Sequence, residues 1–241
     1  MAELSVKKMF KRFLPPFMLV VLPLFILWYM TDSKNFNLKI PKYYPIIENG
    51  DTLGYHTLPE FSFTDHQGKS FTSDSLKGQV HVGYFFFTAC AGICPKMTDN
   101  VKILQDEFIK YEGIQLVGYT VDPKTDDVNR LRRHALKNDV DPSKWRLVTG
   151  PAQEIYKLAK KGYMLSAGDD ALGSKDAIKS VTDSAEFINF VHSEKLVVVD
   201  KEGVIRGWVD GTDKKAVERF ATDVLHVHLS YTRDAKESLF H

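Results

Sequence analysis

The chain has 241 residues, enough for one ordinary domain plus a tail or an anchor. Apolar residues make up 44% and charged residues 26%, the balance of a globular protein that builds its core without disulfides. The net charge is +1, with +3 held by residues 1–12, so residues 31–241 are slightly acidic; this excludes the basic footprint of a nucleic-acid binder.

In residues 1–12, Lys7, Lys8, Lys11 and Arg12 stand against Glu3. Residues 13–30 read FLPPFMLVVLPLFILWYM, 18 positions without a charge, near the lower limit for a membrane span. The basic flank keeps the N-terminus in the cytoplasm, and Trp28 and Tyr29 suit the far interface. Pro15 and Pro16 fit a first helical turn, whereas Pro23 predicts a kink. A cleaved signal would show small residues at its cleavage site, and none occurs between Phe13 and Met30. The expected organisation is a cytoplasmic basic tail over 1–12, a single-pass transmembrane anchor over 13–30, a linker over 31–54, a domain over 55–230 and a polar tail over 231–241. The domain is expected in the periplasm or an equivalent non-cytoplasmic compartment.

Within the domain, Phe61-Ser62-Phe63 alternates, Asp65 to Gly68 turns, and Lys69-Ser70-Phe71 resumes, which predicts a hairpin. His81 to Phe87 is a continuous aromatic and β-branched run, expected of a strand buried on both faces. Pro95 fits the first turn of a helix in which Met97, Val101, Leu104, Phe108 and Tyr111 share a face. A strand over Gln115–Val121, a helix near 126–138, a short strand from Trp145 to Val148 and a helix near 152–161 follow. Residues 166–190 have weak periodicity and read as a long loop, of the kind that serves as a functional lid. Lys195 to Asp200, then Lys201-Glu202-Gly203, then Val204 to Val209 predicts a second hairpin. Thr212 is the expected cap of a last helix carrying Val217, Phe220, Val224 and Leu225. Alternation of strands and helices predicts a mostly parallel sheet covered by helices, an α/β class. The closing hairpin and helix, with a cysteine pair between the first strand and helix of the alternating part, are the thioredoxin arrangement.

That pair, Cys90 and Cys94, holds the only cysteines in the chain. Two close cysteines in a domain that needs no staple point to redox or metal chemistry. Cys94 is expected at or beside a helix N-terminus, where the partial positive charge favours the thiolate. A plain structural disulfide would close too short a loop to remove much unfolded-state entropy. Dithiol oxidoreductases of the thioredoxin kind use C-x-x-C; the extra residue in C-x-x-x-C widens the bite toward a metal. Two thiolates are soft ligands and favour Cu(I), while four ligands at zinc-finger spacing are missing. Among eight histidines, His192 lies just before the strand at Lys195, in a segment that passes beside the cysteines in a thioredoxin-like fold. His226 and His228 do not share a helix face, His56, His66, His134 and His241 read as surface residues, and His81 opens a strand.

Phe87-Thr88-Ala89-Cys90-Ala91-Gly92-Ile93-Cys94-Pro95, then Val121-Asp122-Pro123, then Val191-His192-Ser193 leading into Val197 to Gly203, resembles the Sco/SenC family in content and order. The resemblance covers about residues 55–229 and extends to the N-terminal anchor. It implies a thioredoxin-like fold that binds copper, Cu(I) or Cu(II), through Cys90, Cys94 and His192. It implies a metallochaperone role in maturing the copper centre of a respiratory cytochrome oxidase, as copper donor or as reductant of its cysteines. The implied partners are the copper-centre subunit of that oxidase and other periplasmic copper carriers or thiol reductants. Asp122 matches the family's acidic position near the site, beside the ligands or at a partner contact. Family members often carry Pro-Asp after the first cysteine, where Ala91-Gly92 stand here; losing that carboxylate eases thiolate formation.

The alternative is a metal-independent thiol-disulfide oxidoreductase using Cys90 and Cys94 as a redox-active pair. A peroxidase-like reading is weaker, since the residues before Cys90 lack the Pro-x-x-x-Thr-x-x-Cys setting. His192 separates the first two, because only a copper site needs a third ligand.

Overall fold

The computed structural model describes residues 19–27, 40–48, 50–90, 92–165 and 194–237. The chain divides into two units, Met1–Lys39 and Ile40–His241. In the first, residues 19–27 are helical and exposed. They are the middle of the expected anchor, whose other residues lie outside the described ones. Among the described residues no helix is long and apolar enough to cross a membrane.

The second unit begins with an antiparallel hairpin, β1 (Pro45–Glu48) and β2 (Asp51–Tyr55), within a stretch the sequence reads mainly as linker. Among the described residues, seven further strands form one sheet: β3 (Ser62–Asp65), β4 (Ser70–Thr72), β5 (Val80–Phe86), β6 (Ile114–Thr120), β7 (Trp145–Thr149), β8 (Lys195–Val199) and β9 (Ile205–Asp210). Their spatial order is β4-β3-β7-β6-β5-β8-β9. The central pairs β5/β6 and β6/β7 are parallel; the flanking pairs are antiparallel. Both predicted hairpins form, with Phe63 opposite Phe71 and Val198 opposite Gly207. The parallel centre follows from the crossovers: a helix between two strands returns the chain to run the same way beside the first.

Among the described residues, the helices that cover the sheet are α1 (Ile93–Phe108), α2 (Val128–Lys137), α3 (Ala152–Lys157), continued by a π turn over Leu158–Gly162, and α4 (Lys214–Glu237). All seven residues of β5 are buried, as the unbroken apolar run predicts. On one face Val80, Val82, Tyr84 and Phe86 pack in a core with Met97, Val101 and Leu104 of α1, Leu131 of α2, and Val217, Phe220 and Val224 of α4. On the other, Phe85, Val117 and Tyr119 join Phe61, Phe63 and Phe71 of the first hairpin and Ile155 and Tyr163. Two glycines make room for large rings. A Cβ on Gly83 would lie 2.3 Å from the Tyr163 ring, and one on Gly118 would lie 2.6 Å from the Tyr84 hydroxyl.

Two local expectations change. Asp213, not Thr212, caps α4: its Oδ1 accepts from the Ala216 amide at 3.1 Å, while Thr212 turns its hydroxyl to Asp210 at 2.7 Å. His66, expected at the surface, is buried, and its Nδ1 accepts from the Leu147 amide at 3.1 Å. A histidine in a turn touches the sheet edge only through long-range packing, which no local pattern announces. The loop over 166–190 lies outside the described residues.

Candidate functional site

The cysteines sit where β5 ends and α1 begins, at the carboxyl edge of the parallel strands. Phe86 ends β5, and a turn donates the Cys90 amide to the Phe87 carbonyl at 3.3 Å. Helix α1 starts at Ile93, with Gly92 in the cap position and no side chain capping the first turn. Uncapped amides at a helix start seek an acceptor. Here the backbone N–H groups of Cys94, Gly92 and Ile93 converge on the Cys90 sulfur. Partial burial alone would raise the Cys90 pKa; a hydrogen bond with the Cys94 thiol and those three backbone donors outweigh it and hold the pKa below the ordinary thiol value.

Cys94 has the opposite fate. It is one residue into the helix and faces the core, 7% exposed, beside Tyr84, Phe86 and Met97. Burial first, then the hydrogen bond with Cys90 and the charges of Cys90 and Asp126, push its pKa up to about 12. The expectation that the helix terminus favours the Cys94 thiolate is therefore corrected. The amide donors point back along the chain, toward the residue before the helix, and a side chain in the second helical position points away from them. Both thiols are free, and each shifts the other's proton affinity.

A buried carboxylate that the sequence reading did not single out braces the loop. Asp126 is 0% exposed. Its Oδ2 accepts from the Thr88 amide at 2.9 Å and the Thr120 hydroxyl at 2.6 Å, and its Oδ1 accepts from the Thr88 hydroxyl. The Arg130 Nε lies 3.4 Å from Oδ1 and donates to the Thr88 hydroxyl at 2.6 Å. Thr88 is two residues before Cys90, so the carboxylate ties the cysteine loop to the end of β6 and the start of α2. The sequence signal was the Asp126-Asp127 pair before a helix. Asp127 caps α2 by accepting from the Arg130 amide at 2.7 Å, and its neighbour turns inward.

Asp122 lies half-buried after β6. Its carbonyl accepts from the Asp126 amide at 2.8 Å and its Oδ1 from the Thr125 amide at 3.3 Å. It shapes the turn that delivers Asp126. Cys90, Cys94 and the Asp122–Asp126 turn thus gather at one sheet edge, while His192 lies outside the described residues. Among the described residues no three histidine, cysteine or acidic side chains group as a metal site.

An α/β thioredoxin-like domain with a dithiol at the first parallel strand-to-helix junction defines the class. Residues 50–227 match the SCO1/SenC family model, and the chain belongs to that family. It is 35% identical over 116 residues to the SCO1 protein homolog of Bacillus subtilis, covering 47% of this chain and 59% of that relative, so the match spans less than two thirds of the relative's length. Among solved structures, a SCO1/SenC family lipoprotein from Bacillus anthracis superposes with a TM-score of 0.58 at 26% identity, covering 71% of this chain and 95% of that one. ScoI of Bradyrhizobium japonicum, solved with copper bound, shares the fold with a TM-score of 0.52 at 21% identity, covering 71% and 99% of the two chains.

Proposed function

We propose that the protein is a membrane-anchored copper-binding assembly factor that delivers copper to the copper centre of a respiratory cytochrome oxidase, or reduces that centre's cysteines. The observation that carries this reading is a pair of free cysteines at the junction of β5 and α1, one half-buried and the other facing the core. Two soft sulfur donors fit copper, and thiolate is the form that binds it. Cys90 and Cys94 would hold the ion, with His192 as the third ligand and Asp122 beside them or at the partner contact. Copper here is cargo. Membership of the SCO1/SenC family supports the oxidase role, since another Sco protein is described as one of the cytochrome c oxidase assembly proteins. Residues 13–30 are the anchor in this reading, placing the domain outside the cytoplasm. A family relative that is a lipoprotein supports a membrane association.

The pair's own residues set the order of events. Cys90 supplies the first thiolate, because its charge is already met by the amides of α1. Cys94 must give up a proton held up to about 12, so uptake releases protons and tightens as pH rises. An anaerobic copper titration of the reduced and the oxidised full chain tests the reading. The reduced chain binds and releases protons; the oxidised chain does not bind. Equal uptake by both would overturn it.

The asymmetry of the pair also favours a second reading, thiol-disulfide exchange. The Cys90 thiolate attacks a partner's disulfide sulfur and expels the partner's other sulfur as thiolate. Cys94, once deprotonated, attacks the Cys90 sulfur of the mixed disulfide and expels the second partner thiol. The partner gains two electrons and the pair becomes a disulfide. His192→Ala separates the readings: it impairs oxidase assembly under copper limitation if copper delivery is the role, and spares it if exchange is.

A further inference from the structure

The β1–β2 hairpin exposes apolar side chains that nothing among the described residues covers. Ile46, Ile47 and Leu53 are 51%, 64% and 65% exposed, while the aliphatic residues of β5 and β8 are buried. An isolated two-stranded hairpin is marginal in water, and burying its face elsewhere would stabilise it. At its base stands a cluster of amphipathic rings. Tyr43 meets Trp208 edge-on with centroids 4.8 Å apart, Tyr44 lies 6.5 Å from the same ring, and Trp208 is 42% exposed. The Lys42 and Lys195 ammonium groups sit over the Tyr55 and Trp208 rings. Aliphatic side chains beside tyrosine and tryptophan rings are the chemistry of a bilayer interface, and the Lys42 charge is already met by Glu202 at 2.8 Å.

We propose that this hairpin rests on the lipid surface, with Ile46, Ile47 and Leu53 entering the boundary between headgroups and acyl chains. The inference rests on the anchor reading of residues 13–30. Only residues 31–44 separate that run from Pro45, a covalent reach of at most about 50 Å. Such a tether raises the effective lipid concentration at the hairpin to the order of millimolar or above, so three modest side chains suffice. Residues 45–55 contain no lysine or arginine, and Glu48 and Asp51 face each other at the tip. Apolar insertion therefore drives the contact, without attraction to anionic lipid, and salt does not weaken it. The contact would fix how the domain, and the cysteines on it, are oriented relative to the membrane.

The test uses the full chain in phosphatidylcholine nanodiscs containing lipid with a nitroxide near the top of the acyl chain. Methyl NMR of Ile46, Ile47 and Leu53 should show several-fold more paramagnetic broadening than Leu104 and Leu131 of the core, unchanged between low and high salt. Replacing all three by serine should abolish the broadening of neighbouring Thr52 while the core spectrum stays intact. A flotation assay after alkaline extraction reports the anchor separately. A chain that floats with unbroadened hairpin methyls overturns the hairpin proposal alone; a chain that does not float removes the anchor reading and this proposal with it. Broadening that needs two chains per disc, or hairpin signals that respond only to added solubilised oxidase, would assign the face to a protein and also overturn it.

Discussion

The two ends of β5 bury a titratable side chain and treat it in opposite ways. At the carboxyl end, Cys90 stays half-buried and receives three backbone donors, so its charged form is favoured despite desolvation. At the amino end, His81 is 1% exposed and its Nε2 meets the Tyr163 hydroxyl at 3.1 Å, which in turn lies 3.1 Å from the Tyr119 hydroxyl. Its Nδ1 has no partner among the described residues. Burial drives its pKa down to about 3, with Asp200 opposing. Both tyrosine hydroxyls are held neutral, chiefly by burial. The lesson is that burial by itself makes a group inert, and oriented donors next to a partly open surface make one reactive.

The largest expected effect is the split within the cysteine pair. Raising Cys94 to about 12 removes about three powers of ten of its thiolate near neutral pH relative to an ordinary thiol. Timed iodoacetamide labelling read by mass spectrometry should modify Cys90 first, at a rate that is already high below pH 9, with Cys94 lagging far behind. Equal labelling would erase the contrast drawn between the sulfurs. Next comes the brace. Asp126→Ala strands the Thr88 amide and the Thr120 hydroxyl and should cost about 3 kcal/mol in denaturant unfolding, with Asp126→Asn milder. The alanine variant should also narrow the labelling difference, because the loop carrying Cys90 is no longer pinned.

At the amino end, Gly83→Ala should cost about 2 kcal/mol, since its new Cβ meets the Tyr163 ring in a packed core. Labelling of Cys90 should be nearly unchanged, which would sharpen the independence of the two ends. The smallest effect at neutral pH is His81→Phe, within about 1 kcal/mol, because Tyr163 keeps Tyr119 as a partner. Its signature is in acid. A histidine with a depressed folded pKa stabilises fully above pH 6.5 and loses that contribution as pH falls toward about 3. The phenylalanine variant should lose less stability over that window, measured by urea midpoints at successive pH values. Parallel curves for the two proteins would mean His81 is not the group that titrates.

Much of the fold was legible because its elements obey local rules. Alternation of Phe61 and Phe63 around a turn ending in Gly68 marks a hairpin, the run from His81 to Phe87 marks a buried strand, and Pro95 marks a helix start. The stretch before Tyr55 was not legible as strands, because β1 and β2 expose Ile46, Ile47 and Leu53 and so show no alternation of burial. At the site, the positions of Cys90 and Cys94 followed from strand, proline and spacing. Their unequal chemistry did not, since the helix turn that buries Cys94 also aims its amides at Cys90.

By itself the sequence determined the α/β class, the junction that carries the dithiol and the pattern that resembles the Sco/SenC family, because periodicity, proline placement and residue spacing are properties of neighbours along the chain. Only the tertiary structure decided which sulfur is reactive, that Asp126 braces the cysteine loop, that His66 is buried and that His81 meets Tyr163. Those outcomes depend on solvent exclusion and on the direction of hydrogen bonds between residues tens of positions apart: Thr88 meets Asp126 across 38 residues, and His81 meets Tyr163 across 82. Desolvation and donor direction are set by packing, and packing is the one quantity a local pattern does not contain.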